Sequence, residues 1–214
     1  VINYRNKAAR AEAVAAGVRD LGRRALTAQA DLTDAGARRQ MLAATVAAFG
    51  GLDVLILNAS GGPESDRPDD YPLRLNRDAQ LEVAEAAAAA MPAGGRIVFV
   101  TSHEAHFYSP GSTLPAYARV AASKQAGERA LRARERSFTD RGIGLVVVSG
   151  DLIDGTITAR LLDRVRPGLI EQRRSRAGGL PTVDDFARAV AGAALDPEPD
   201  PIVFVGTVDT ERLG

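Results

Sequence analysis

Tyr117 and Lys124 have the types and the spacing to make a proton donor. They lie seven residues apart in Pro-Ala-Tyr-Ala-Arg-Val-Ala-Ala-Ser-Lys, residues 115–124. Seven residues is close to two helical turns, so a helix places both side chains on one face. An ammonium beside a phenol favours the phenolate and lowers the tyrosine pKa toward working pH. Ser102 adds a hydroxyl at the end of Arg96-Ile-Val-Phe-Val-Thr-Ser102, an apolar run that reads as a buried strand. A tyrosine and a lysine also share a helix face by chance, so the rest of the chain must supply the context.

Other reactive groups are fewer. His103-Glu104-Ala105-His106 follows Ser102 directly. The spacing is not that of the zinc peptidases, and two histidines without a third ligand make a poor site, so no metal is expected. Either histidine is a candidate to line a cleft or to serve as a spare proton donor near Ser102. Arg160, Arg164, Arg166, Arg173, Arg174 and Arg176 crowd one segment against Asp163 and Glu171. A solvated helical face explains such a run without any function.

These residues must be positioned by one core. At 214 residues the chain supports a single domain, residues 1–214, and is too short for two ordinary ones. Lys+Arg and Asp+Glu both number 27, which argues against a general nucleic-acid surface. The absence of cysteine excludes disulfides and thiolate chemistry. The alanine-rich stretch ending at Met91 is too short to span a bilayer, and no signal peptide is visible. A cytoplasmic protein with no membrane association is therefore expected.

Helix and strand patterns alternate throughout. Helices are expected over Lys7–Leu21, Ala35–Phe49 (opened by capping oxygens of Asp31-Leu32-Thr33-Asp34), Leu73–Met91, Ala116–Phe138 and Thr182–Leu195. Residues 156–176 read as helical or irregular. Strands are expected over 25–30, 52–57, 96–102, 142–149 and 201–205, with 52–57 buried on both faces. Val1-Ile2-Asn3-Tyr4 reads as the end of a strand. This alternation implies right-handed crossovers and an α/β, doubly wound, Rossmann-like parallel sheet.

The order of these elements, with these residues at the strand ends, resembles the short-chain dehydrogenase/reductase superfamily over nearly the whole chain. Asp31, followed by Leu32, resembles the family's adenine-side aspartate, although it also suits an N-cap. Asn58-Ala59-Ser60-Gly61 resembles the Asn-Asn-Ala-Gly signature. Asn76 matches the asparagine that anchors a proton-relay water. Ser102 matches the serine that holds the reacting oxygen, and Lys124 the lysine that holds the nicotinamide ribose and tunes the tyrosine. Ser149-Gly150-Asp151-Leu152 resembles the Pro-Gly segment beside the nicotinamide, with Gly150 and Leu152 as cofactor contacts. The arginine-rich segment lies where the family covers its substrate. An anionic substrate or an acyl group on a phosphopantetheine carrier would suit it.

Two departures shape the expectation. The Gly-rich turn after the family's first strand is absent, so the first strand–turn–helix unit is expected to be truncated; that strand would sit between those ending at Tyr4 and Leu57. The family's usual tyrosine position is Val120, which cannot donate a proton. Tyr117 lies one turn earlier, at the Tyr-x6-Lys spacing of the enoyl reductases of fatty-acid synthesis. The first strand ends in Tyr4-Arg5 with no acid to hold a ribose 2′-hydroxyl, and Arg5 with Lys7 suits a 2′-phosphate. NADP(H) is therefore expected over NAD(H). The implied activity is hydride transfer to the carbonyl of a small organic or carrier-bound acyl substrate, with Asn76, Ser102, Tyr117 and Lys124 catalytic. An enoyl-thioester reductase and a catalytically silent NADP-binding protein are the alternatives. Substrate contacts are expected from loops 61–72 and 104–114 and from the arginine segment. The alanine-rich helix and the Tyr117 helix suggest a homodimer or homotetramer.

Overall fold

Capping chemistry and apolar alternation account for most of the architecture. The structure is a computed structural model and describes residues 1–61 and 67–208. Strand β1 (Ile2–Tyr4) leads to helix α1 (Ala8–Asp20), and β2 (Thr27–Gln29) pairs with β1 in parallel. Helix α2 (Ala35–Phe49) has the expected bounds. The Asp34 carboxylate accepts from the amides of Gly36 and Ala37 at 2.6 and 3.0 Å, a cap worth about 1 kcal/mol. Gly50 closes the helix in the left-handed region, at φ 84°.

Strand β3 (Val54–Leu57) follows, then a helical stretch of three parts. These are α3 (Tyr71–Leu73), a π-helical segment (Arg74–Ala79) and α4 (Gln80–Ala88). After β4 (Arg96–Ser102) come the short α5 (His103–His106), the long α6 (Pro115–Arg132) and α7 (Glu135–Thr139). Strand β5 (Gly144–Gly150) is followed by α8 (Ile157–Val165), α9 (Leu169–Ala177), α10 (Val183–Leu195) and β6 (Ile202–Val205). A capping box opens α10, with Thr182 and Asp185 satisfying each other's backbone amides.

The strands run in parallel in the order β3-β4-β5-β6, with β1-β2 as a separate pair. Alternate residues of the central strands enter different cores. Ile97, Phe99, Leu145 and Val147 pack with Ala84 of α4 and Leu131 of α6, whereas Val98, Val146 and Val148 pack with Ala193 of α10. Burial on both faces is why these strands read as continuous apolar runs. This is the Rossmann-like α/β fold, with helices on both faces of a parallel sheet.

Among the described residues β1 and β3 do not pair, in agreement with the expected gap between the strands ending at Tyr4 and Leu57. Three details differ from the sequence expectation. β3 was expected to be buried on both faces, but Ile56 is 46% exposed; among the described residues this strand pairs only with β4. The helix over 73–91 starts earlier and contains the π segment. The helix over 116–138 is broken after Arg132 into α6 and α7. No helix among the described residues is long and apolar enough to cross a membrane.

Candidate active site

The carboxyl ends of parallel strands are where this architecture gathers chemistry. Register aligns those ends: Ser102 lies opposite Gly150, and Thr101 opposite Ser149. Asn58 follows the last residue of β3. Ser102 then leaves the sheet with an extended backbone, and its hydroxyl accepts the Ala105 amide at 3.3 Å to cap α5. The chain returns through the loop before α6, and Tyr117 lies in the first turn of that helix.

Tyr117 and Ser102 meet on the wall of one cavity, near enough for the serine hydroxyl to act on the phenol pKa. The expected lowering of the phenol pKa does not occur. Burial pushes Tyr117 above its ordinary value, the Ser102 hydroxyl opposes this only in part, and the negative Glu104 adds to the rise. Lys124 is not among the groups that set it. The physical reason lies in Lys124 itself, which is half-buried and whose own pKa burial lowers to about 8. Lys124 has no hydrogen-bond or ion-pair partner among the described residues.

Asn76 is 1% exposed and sits in the π segment. Its side-chain oxygen accepts the Gly61 amide at 2.9 Å, and its nitrogen donates to the Ser123 hydroxyl at 2.9 Å. Ser123 donates in turn to the Val120 carbonyl at 2.8 Å. The side chain expected to anchor a water is thus engaged in joining the loop after β3 to α6, one residue before Lys124. A single-turn π bulge is a frequent device at functional sites, since it re-aims one residue without ending a helix. Gln80 adds a second tie by donating to the Ala59 carbonyl. Behind α5, His106 Nδ1 lies 2.9 Å from Glu128, which also accepts from Arg132 at 2.9 Å. Burial raises the Glu128 pKa, but His106 and Arg132 together bring it below its ordinary value.

One cavity of about 930 Å³ receives the site. Ser102, Tyr117 and Lys124 line it together with Asn58 and Ser60. Gly150 and Leu152 close another side. Val120, in the family's tyrosine position, lines it as well and is buried at 3% exposure. His103 also faces it; burial lowers its pKa, partly opposed by Asp151. His106 is occupied by Glu128.

The remaining expected cofactor contacts lie outside that lining. Tyr4 is half-buried, and its carbonyl accepts the Ala30 amide at 3.0 Å. The Arg5 guanidinium donates to the Tyr71 hydroxyl and lies 5.7 Å from that ring's centre. Asp31 does not cap α2, which Asp34 does. It accepts the Thr33 amide and hydroxyl at 2.9 and 2.7 Å. Burial raises the Asp31 pKa, but Thr33, Arg5 and Arg67 outweigh it and the net shift is downward. The Leu32 side chain is in the core, and its carbonyl accepts from Arg38. Gly150 has a packing reason of its own, since a Cβ there would fall 2.6 Å from the Phe186 ring. Of the loop 61–72, residues 62–66 lie outside the described residues.

Sequence reasoning missed Ser123, Gln80, Tyr71 and Gly127. Gly127 carried a signal: a glycine inside a helical pattern usually has a packing reason. Ser123 was in view beside Lys124 but had no visible partner, because Asn76 is 47 residues away.

Residues 1–165 match the sequence model of the family described as short chain dehydrogenase. The chain is 31% identical over 164 residues to the short chain dehydrogenase/reductase AacuN of Aspergillus aculeatus, a match covering 74% of this chain and 60% of that protein. It thus spans about three fifths of the length of that relative. A short chain dehydrogenase from Burkholderia cenocepacia, solved in complex with NADP, is 29% identical with a TM-score of 0.75, over 95% of this chain and 84% of that one. The angucycline C-6 ketoreductase LanV, solved with bound NADP, is 25% identical with a TM-score of 0.73, over 95% of this chain and 81% of that one.

Proposed function

Because this chain belongs to the short-chain dehydrogenase/reductase family, we propose that it reduces the carbonyl group of a small organic substrate with NADPH. One observation carries the reading: Tyr117, Ser102 and Lys124 line one cavity, where the serine hydroxyl acts on the phenol.

The site fits the nicotinamide end of such a cofactor. Lys124 is a desolvated cation with no partner among the described residues, and ribose hydroxyls would satisfy it. Asn58, Gly150 and Leu152 lie on the same cavity. NADP(H) is preferred to NAD(H), because β1 ends without an acid and Arg5 and Lys7 follow it. The two structural relatives described with NADP support this choice. Asp31 would border the adenosine side.

When bound, NADPH supplies the hydride. Tyr117 then gives its proton to the carbonyl oxygen as the alcohol forms. Its raised pKa keeps that proton in place through the neutral range, which suits reduction rather than oxidation. The Ser102 hydroxyl holds the same oxygen by donating to it. Asn76 fixes α6 against the loop after β3, and so sets where Lys124 stands.

A second reading keeps the residues and changes the bond. At Tyr-x6-Lys spacing Tyr117 would stabilise an enolate oxygen while an enoyl thioester is reduced. Matched keto and enoyl thioesters, each offered with NADPH and with NADH, separate the two. Ketone reduction is expected, at least about tenfold faster with NADPH, from one extra charge-assisted contact to the 2′-phosphate. Oxidation of NADPH by the enoyl substrate alone overturns the carbonyl reading. Tight NADPH binding with no transfer to either would favour a silent binder.

Lys124 sets an alkaline limit. Its ammonium is present below a pH of about 8 and is lost above it. Activity is expected to fall as pH rises through that value. Stability moves the other way. The folded pKa lies below the unfolded value, so the unfolded chain holds more protons between about 8 and 10.5, and stability rises with pH across that window. Lys124→Arg keeps its charge, so the alkaline limb of kcat/KM should move upward. A limb that stays near 8 in that variant assigns the titration to another group.

A further inference from the structure

The far wall of the cavity is built by α8 and α9, and its chemistry is lopsided. Helix α8 turns an apolar stripe outward: Ile157, Leu161 and Val165 are four residues apart and 66, 39 and 57% exposed. Leu161, Leu162 and Val165 line the cavity. Arg164, Arg166 and Arg176 line it with them. Water-facing apolar side chains beside guanidinium groups are an unfavourable surface unless something covers both.

The acids of this wall are already engaged. Asp151 accepts Arg173 through both oxygens, at 2.9 and 3.1 Å. Asp154 and Glu171 both accept from Arg174, at 3.1 and 2.8 Å. An Asp163 oxygen accepts the Ile170 amide at 3.0 Å. Arg166 donates to Gln172 at 3.1 Å. Arg164 and Arg176 have no hydrogen-bond or ion-pair partner among the described residues. Two forked donors therefore face the cavity with their capacity unspent. A planar guanidinium matches the oxygens of a carboxylate or a phosphate.

Resting on the carbonyl-reductase reading, we propose that the cavity takes an amphipathic substrate, apolar around the reacting carbonyl, whose anionic oxygen group is held by Arg164 and Arg176. The apolar body lies against Leu161, Leu162 and Val165. The anion sits at the α8–α9 side, away from the Ser102 end.

The test uses three aryl ketones with one carbon skeleton, ending in a carboxylate, its methyl ester or a phosphate monoester. Turnover with NADPH is measured, and binding to the protein is measured separately by calorimetry. The carboxylate or the phosphate is expected to exceed the ester by about tenfold in both, the size of one charge-assisted contact at a partly exposed site. Whichever anion gains more identifies the group. The double substitution R164Q/R176Q should bring the anion-to-ester ratio close to one. Anions that bind more tightly than the ester without being reduced support the anionic subsite and sink the reductase reading instead. Equal reduction and binding of all three ketones overturn the subsite and leave the reductase reading standing. A ratio that survives R164Q/R176Q, or a double variant whose defect lies only in KM for NADPH, also overturns it and assigns these arginines elsewhere.

Discussion

Tyr117→Phe should cost about 10²–10⁴-fold in kcat/KM, the usual worth of a positioned proton donor. The substitution removes one oxygen and keeps the ring. The tyrosine is half-buried, and Ser102 retains its capping bond from the Ala105 amide. Stability should therefore change by roughly 1 kcal/mol or less, the net worth of one hydrogen bond. A large kinetic loss beside a nearly unchanged melting temperature would separate chemistry from folding. The neighbourhood makes this a demanding test. Val120 holds the family's tyrosine position and offers no proton. His106 is committed to Glu128, and burial holds His103 below its ordinary pKa, poor in protons at neutral pH. If the phenylalanine variant turns over ketone within a few-fold of the parent, Ser102 or water is the donor and the role given to Tyr117 is wrong.

What was legible in the chain was what is encoded locally. Helix α2 could be bounded to the residue, because Asp34 supplies a capping oxygen at one end and Gly50 a left-handed stop at the other. Strands β4 and β5 announce themselves because burial on both faces demands unbroken apolar runs. Tyr117 could be placed opposite Ser102 because helical periodicity and the strand end fix both. What escaped depends on groups distant in sequence. Arg5 reads as a free strand-end cation, and only the fold shows that one of its guanidinium nitrogens donates to Tyr71, 66 residues away. Asp31 and Asp34 are equal candidates for one cap, and only backbone geometry chooses between them. The direction of the Tyr117 pKa also escaped, because a neighbouring cation is visible in a sequence and the loss of water is not. The π segment is the clearest case. In Arg74-Leu-Asn-Arg-Asp-Ala79 only Asn76 and Asp78 are weak helix formers, and neither calls for an extra residue in the turn. The extra residue is stabilised by what it meets across the interface, which is the backbone of Gly127.

Gly127→Ala should be the most damaging small substitution in the site, against the usual rule for helices. Alanine is favoured over glycine in a helix interior by about 1 kcal/mol. At position 127, however, a Cβ would fall 2.0 Å from the Asn76 carbonyl oxygen and 3.1 Å from its carbon. Both are backbone atoms, and neither can rotate away. Helix α6 must lift off the π segment or the segment must revert, and overpacking of this kind costs about 1–3 kcal/mol, occasionally more. Net of the helical gain, a loss of about 2 kcal/mol is expected at the upper end, or roughly 4–8 °C in melting temperature for a chain of this length. Activity should fall further than stability does, because the same displacement opens the Asn76–Ser123 bond and shifts Lys124, one turn before Gly127. Gly17→Ala in α1 is the matched control. Nothing lies within 4 Å of a Cβ there, so the same substitution should stabilise by roughly 0.5–1 kcal/mol. Opposite signs at the two glycines would establish that close approach to Asn76, and not helix propensity, governs position 127. A Gly127→Ala variant that melts no lower than the parent and keeps its turnover would mean that α6 does not bear on the π segment, and the positioning role given to Asn76 would fall with it.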